Sequence, residues 1–215
     1  QTYWATFVDQ LRRRYDGDER IAYIDISGYG NFNEWSWTSG QTVWDNSFSN
    51  PSSTDGMARH RLADMYIGGS DNAHVCEDSN GNEQTTSYSY TGFSSTQLLM
   101  PCAGVQQASR YVASRRSDVG IRYDCLGRED SSFLEKVGDV VDSTWRTAPI
   151  IFELCGISSN DTSAMNDSES FINEAHAVLV HENMDGARDD MPMRRLMTDV
   201  GYRYQLTQAV YDSVV

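Results

Sequence analysis

The chain has 215 residues, 39% of them hydrophobic and 11% aromatic, enough to bury a full core and too apolar for a disordered chain. Its net charge of −14 argues against nucleic acid as a partner, because phosphates are repelled. No run of about 18 apolar residues occurs, so no helical membrane span is expected.

Helix and strand patterns alternate along the chain. A helix is predicted over about Tyr3 to Tyr15, ended by the turn Asp16-Gly17-Asp18. A strand follows at Ile21 to Ile26, then a long loop rich in Gly, Asn, Trp and Ser to about Ser53. Thr54 or Asp55 is placed to cap a helix that stops near Ile67-Gly68-Gly69. The polar segment Ser70 to Thr96, with Asn80-Gly81-Asn82 inside it, reads as a long loop or a small hairpin. Next come a strand at Gln97 to Cys102, a helix at Val105 to Arg116, a strand at Val119 to Tyr123 and a helix at Ser131 to Asp142. The series continues with a strand at Pro149 to Glu153, a helix at Ser168 to Ala175, a strand at Ala177 to His181 and a helix at Pro192 to Val200. The tail from Gly201 changes to a period of two, the pattern of a strand from an appended β-sandwich.

Five continuous apolar strands alternating with helices imply a parallel sheet covered by helices. The expected fold class is α/β, a (β/α)8 TIM barrel of which this chain covers strands four to eight. Residues 1–200 would be the C-terminal portion of the barrel, and residues 201–215 the first strand of the β-sandwich. The abrupt start in a helix agrees with a longer or processed protein. The missing N-terminal part of the barrel, or other subunits, would then be partners, and the isolated piece would be unstable because its sheet edges are open. The alternative is a complete doubly wound sheet, but no GxGxxG or GxxxxGK[ST] supports a nucleotide site.

Two glutamates stand where such a sheet collects its chemistry, just past buried strands. Glu34 follows the first strand and Glu153 closes Pro149 to Glu153. A pair of carboxylates suffices to cleave a glycosidic bond: one protonates the leaving oxygen, and the other attacks or stabilises the sugar carbon. The bland reading of Glu153 is a strand-end carboxylate paired with a neighbouring arginine such as Arg122.

The stretch Arg14-Tyr15-Asp16-Gly17-Asp18, the strand after it, and Gly28-Tyr29-Gly30 with Asn33-Glu34-Trp35 resemble the fourth-strand region of β-galactosidase-like (β/α)8 glycoside hydrolases. The likeness is nearest to a barrel group with a G-x-G-x-x-x-E-W pattern and a C-terminal β-sandwich. The resemblance implies that Glu34 is the acid/base at strand four and Glu153 the nucleophile at strand seven. It also implies that Asn33 hydrogen-bonds the sugar 2-hydroxyl. It further implies an oligo- or polysaccharide substrate, a retaining mechanism and no need of a cofactor.

Trp35 and Trp37, with Phe32 and Trp44 in the same loop, offer flat faces for sugar rings, or else a loop core. Asp124, His181 and Glu182 end other strands and are candidates for orienting hydroxyls. Asp25, inside a strand, is as well suited to a satisfied core carboxylate as to ligand contact. A second function class is a non-catalytic carbohydrate-binding or structural barrel in an extracellular assembly. A third, a metal hydrolase using Asp124, His181 and Glu182, lacks an HxH or HExxH motif.

Cys125 and Cys155 each follow a strand end, which makes a bridge between them possible, with Cys76 and Cys102 as the remaining pair. Disulfides and a secreted, extracellular location are expected together. Lys136 is the only lysine, so the positive charge is carried by arginine.

Overall fold

The computed structural model describes residues 2–30, 33–35, 54–77, 83–101, 106–126, 132–154, 162–181, 198 and 200. In chain order these form α1 (Thr2–Tyr15), β1 (Ile24–Asp25), α2 (Thr54–Ile67), β2 (Gly69–Glu77), β3 (Glu83–Tyr90) and β4 (Leu98–Pro101). They continue with α3 (Gln106–Arg115), β5 (Gly120–Leu126), α4 (Ser132–Thr144), β6 (Ile150–Leu154), α5 (Thr162–Glu174) and β7 (Leu179–His181).

The architecture is mixed α/β. A five-stranded sheet has the order β1-β4-β5-β6-β7, and every pairing within it is parallel. Among the described residues its spatial order follows the chain. Strands β2 and β3 form a separate antiparallel pair between α2 and β4. The polar segment expected as a loop or small hairpin is therefore a hairpin of nine- and eight-residue strands.

Alternation along the strands decides which face meets the helices. Ile26, Leu98 and Met100 pack with Val8 of α1, Leu62, Ala63 and Tyr66 of α2, and Ala108 and Val112 of α3. Ile121, Tyr123, Ile150, Phe152 and Val180 pack with Val140 and Val141 of α4 and Ile172 of α5. The intervening positions occupy the other face. Register pairs Asp25 with Leu99, Leu99 with Gly120, Arg122 with Ile151 and Glu153 with His181. All five strands thus offer one face to the helices and turn a second, partly charged face away from them.

The predicted boundaries move most in three places. The first strand shortens to Ile24–Asp25, because residues before it are spent in turns: the Asp18 N–H donates to the Tyr15 carbonyl and the Ile21 N–H to that of Asp18. Strand β5 runs on to Leu126, past a register shift between Tyr123 and Leu126. Helix α5 begins at Thr162, earlier than Ser168, because its first turns are polar and carry no apolar stripe to read. The tail strand from Gly201 and most of the helix expected over Pro192 to Val200 lie outside the described residues.

Close backbone approaches fix the joints. After α1, Gly17 takes a φ of 84°, the left-handed C-terminal cap that glycine adopts without steric cost. Its N–H donates to Thr96 Oγ1 at 2.8 Å, tying the end of α1 to the entrance of β4. Asp16 accepts from the Ser94, Ser95 and Thr96 backbone N–H groups at 2.8 to 2.9 Å, and from the Ser94 hydroxyl.

A second polar anchor lies among α2, α3 and the hairpin. The fully buried Asp64 accepts hydrogen bonds from the Tyr88 hydroxyl at 2.7 Å and the Tyr111 hydroxyl at 2.9 Å. Arg115 stands 3.8 Å from the same carboxylate.

Candidate functional site

The site grows from the chain that leaves β1. Gly28 and Gly30 have φ of 102° and 76°, and Asn33 and Trp35 follow at 63° and 59°. Left-handed non-glycine residues are uncommon, and two within three positions mark a tightly wound turn. The Trp35 N–H donates to the Tyr29 carbonyl at 2.9 Å, and its indole N–H donates to the Ile26 carbonyl at 2.7 Å. The turn is therefore stapled to the end of β1.

Trp35 is fully buried, its ring tilted against Tyr29 at 5.2 Å between centroids. The expectation that it offers a face to a sugar is corrected here: the indole fills the core beneath the turn, and its polar edge is spent on backbone. The work of that anchor falls on its neighbour. Glu34 is held at the sheet, while Asn33 is exposed.

Arg122 lies at the centre of the site. It projects from β5 on the face turned away from the helices, only 12% exposed. Its Nη1 donates to Glu153 Oε2 at 2.9 Å and its Nη2 donates to Glu34 Oε1 at 3.1 Å. Its Nε stands 3.0 Å from Asp25 Oδ2, an ion-pair contact. One guanidinium therefore joins three carboxylates, from β1, from the turn after β1, and from β6.

The two glutamates are separated by no more than the width of that guanidinium and two hydrogen bonds. Burial pushes the Asp25 carboxyl up; the Arg122 charge opposes the shift, and the Glu34 and Glu153 charges add to it. The Asp25 Oδ1 atom is buried and accepts no hydrogen bond.

Glu34 and Glu153, singled out from sequence, are thus brought together. Asp124 and His181 belong to β5 and β7 by their backbones, but their side chains lie outside the described residues, as do Trp37 and Glu182. Phe32, Trp44, Cys102 and Cys155 also lie outside them, and Cys76 and Cys125 are described only in backbone. Among the described residues no three His, Cys, Asp or Glu side chains are grouped so as to hold a metal ion. No described helix is long and apolar enough to cross a membrane.

Sequence reasoning named Arg122 beside Glu153 only in the bland reading of a structural ion pair, a contact the structure contains, and missed its hydrogen bond to Glu34 and its ion pair with Asp25. The available signal was an arginine inside the otherwise apolar strand Gly120–Tyr123, where a charge needs partners.

Compared with protein-family models, with curated proteins and with solved structures, the chain shows no match.

Proposed function

We propose that this chain supplies strands four to eight of a (β/α)8 barrel, and that the barrel is a retaining glycoside hydrolase acting on an oligo- or polysaccharide. Sheet order that follows the chain, with helices on one face, supports the barrel reading over a doubly wound one. Three further β/α units, from another segment or subunit, would complete eight strands.

The observation that carries the functional reading is the bridging of Glu34, in the turn after β1, and Glu153, near the end of β6, through Arg122 of β5. In this reading Glu153 attacks the anomeric carbon as Glu34 gives its proton to the departing oxygen. Water then hydrolyses the glycosyl-enzyme, with Glu34 taking the water's proton, so both carboxyls end as they began. Arg122 orients both carboxyls, and its Glu34 contact is the one that weakens whenever Glu34 is protonated. Asn33 would meet the 2-hydroxyl, with Trp37, Asp124, His181 and Glu182 lining the remainder. The mechanism needs no cofactor. Secretion and disulfides are part of the same proposal, since a polysaccharide substrate would be met outside the cell.

The same bridge favours a second reading. Carboxylates held by an arginine are also what a non-catalytic carbohydrate-binding or structural barrel would keep. Reducing-end release from a panel of neutral, amino and acidic oligosaccharides separates the two. Hydrolysis that falls about 10²–10⁴-fold in Glu34→Gln supports the enzyme, as does loss of turnover in Glu153→Gln. Hydrolysis indifferent to both substitutions would remove these residues from the mechanism, and no hydrolysis of any member would leave the binding or structural reading.

A further inference from the structure

A cavity of about 120 Å³ lies between α1, the end of α2 and the chain that leaves β3, and it shares no residue with the Arg122 cluster. Its frame is backbone packed on backbone. Gly68 and Gly92 take φ of 80° and 68°, and a Cβ on Gly92 would overlap the Gly68 nitrogen. The Phe93 N–H donates to the Tyr66 carbonyl at 2.7 Å, and the Gly68 N–H donates to that of Asp64 at 2.9 Å. The wall that Gly92 contributes is therefore set before any ligand arrives, so little ordering cost is left to binding.

Ala5 and Met65 give the cavity an apolar side, and Arg12, Ser89 and Thr91 a polar one. Asp9 also lines it, but its oxygens are already engaged. Arg12 donates to Asp9 Oδ1 through Nε at 3.3 Å and Nη2 at 2.9 Å, and Arg13 Nε donates to Oδ2 at 2.7 Å. Hydrogen bonds from Arg13 and Arg12 hold the Asp9 carboxyl below its ordinary range, so it stays their partner in mild acid. Arg12 keeps Nη1 in reserve: among the described residues that nitrogen and the Ser89 and Thr91 hydroxyls have no hydrogen-bond partner. The guanidinium is 21% exposed, so it is largely withdrawn from water yet not fully paired.

A guanidinium nitrogen supplies donors only, and its strongest acceptor is an oxyanion. Hydroxyls donate and accept, and match hydroxyls on a ligand. A cavity of roughly 150 Å³ admits benzene, so about six or seven non-hydrogen atoms fit this one. We propose that the cavity binds a small hydroxy-carboxylate, its carboxylate on Arg12 Nη1, its hydroxyls at Ser89 and Thr91 and its carbon chain against Ala5 and Met65. The net charge of −14 opposes an anion at long range, but the Arg12 contact acts at hydrogen-bond distance, inside the screening length.

The test is titration of the isotope-labelled protein, followed by backbone amide resonances, with three probes of nearly one size. Glycerate carries the carboxylate and two hydroxyls, glyceramide replaces the charge by a neutral amide, and propionate lacks the hydroxyls. Glycerate is expected to saturate at about 1 mM, shifting Ala5, Arg12 and Ser89 to Gly92, and to bind about tenfold or more tightly than glyceramide. Propionate should fall severalfold behind glycerate. Arg12→Gln should remove the preference for charge, and Arg12→Lys restore part of it. Ala5→Leu fills the apolar side without touching a polar group and should abolish binding. The three-probe comparison on the wild type stands whatever the variants do to folding.

No saturable shift up to about 50 mM glycerate overturns the proposal. So do equal affinities for glycerate and glyceramide, shifts confined to other parts of the chain, or a folded Ala5→Leu that binds as before. Glycan cleavage does not enter the measurement, so the outcome is independent of the glycosidase reading.

Discussion

Glu34 and Glu153 are held by the two terminal nitrogens of a single guanidinium, at 3.1 Å and 2.9 Å from Arg122. The residues of this cluster come from three separated parts of the chain and meet only because β1 and β6 lie in one sheet with β5 between them.

Removing the guanidinium leaves three carboxylates facing one another. Arg122→Met is expected to cost about 3 kcal/mol, at the lower end for a broken buried ion pair because the carboxylates are partly exposed. Arg122→Lys should recover only part of this, since one ammonium cannot reproduce three divergent contacts. Urea denaturation of the variants checks the order wild type, lysine, methionine. A methionine variant as stable as the wild type would show that the cluster does not hold the sheet.

Asp16 gives the fold a dependence on acid. Burial works to raise its carboxyl, but the Ser94, Thr96 and Ser95 N–H groups and the Ser94 hydroxyl overcome this and hold it at about 2, below its ordinary 3.8. The folded value is depressed, so the stabilisation is present above about pH 4 and is lost as pH falls toward 2. Because solvent screens this carboxylate, Asp16→Asn is expected to cost only about 1 kcal/mol near neutrality. The difference from wild type should close over that acid window in denaturation curves taken from pH 6 to pH 2.

Asp64 is the deeper anchor. Asp64→Ala deprives the Tyr88 and Tyr111 hydroxyls of this buried acceptor and should destabilise by about 3 kcal/mol or more. Burial, with the Asp64 charge adding to it, pushes the Tyr111 hydroxyl up to about 12. A raised folded value means that its contribution is intact below pH 10 and fades as pH climbs through 12. Spectrophotometric titration should show a late component that is lost in Tyr111→Phe and moves earlier in Asp64→Asn, beside Tyr66, whose hydroxyl burial also pushes up.

Gly28 admits α1 to the sheet. A Cβ there would fall 2.6 Å from two carbons of the Trp4 indole, and the backbone has a φ of 102°. Gly28→Ala therefore adds a clash to a conformation that side chains rarely adopt, and a loss of about 2 kcal/mol or more is expected. Thermal melts of Gly28→Ala and of Gly28→Ala with Trp4→Ala separate the two causes. If the clash dominates, the second substitution should cost less in the alanine background than alone.

Local pattern carried the order and type of the elements a long way. Apolar runs such as Leu98 to Met100 and Ile150 to Phe152 have few alternatives to a buried strand, and they are strands. The alternation of those strands with helices gave the parallel sheet. Chain ends of elements were less legible. The start of β1 was lost to turn hydrogen bonds and the start of α5 to a polar first half, neither of which leaves an apolar trace.

The positions of Glu34 and Glu153 after strands could be read from the sequence by itself, because strand ends are local features. Their sharing of Arg122 with Asp25 could not. That depends on which face each strand turns to the helices and on the parallel register that sets β1 and β6 on either side of β5. Trp35 shows the same division. Its place in a loop beside Glu34 was plain in the sequence, but only tertiary structure buried it. The left-handed turn folds the indole under β1, where its N–H reaches the Ile26 carbonyl and its ring leaves water.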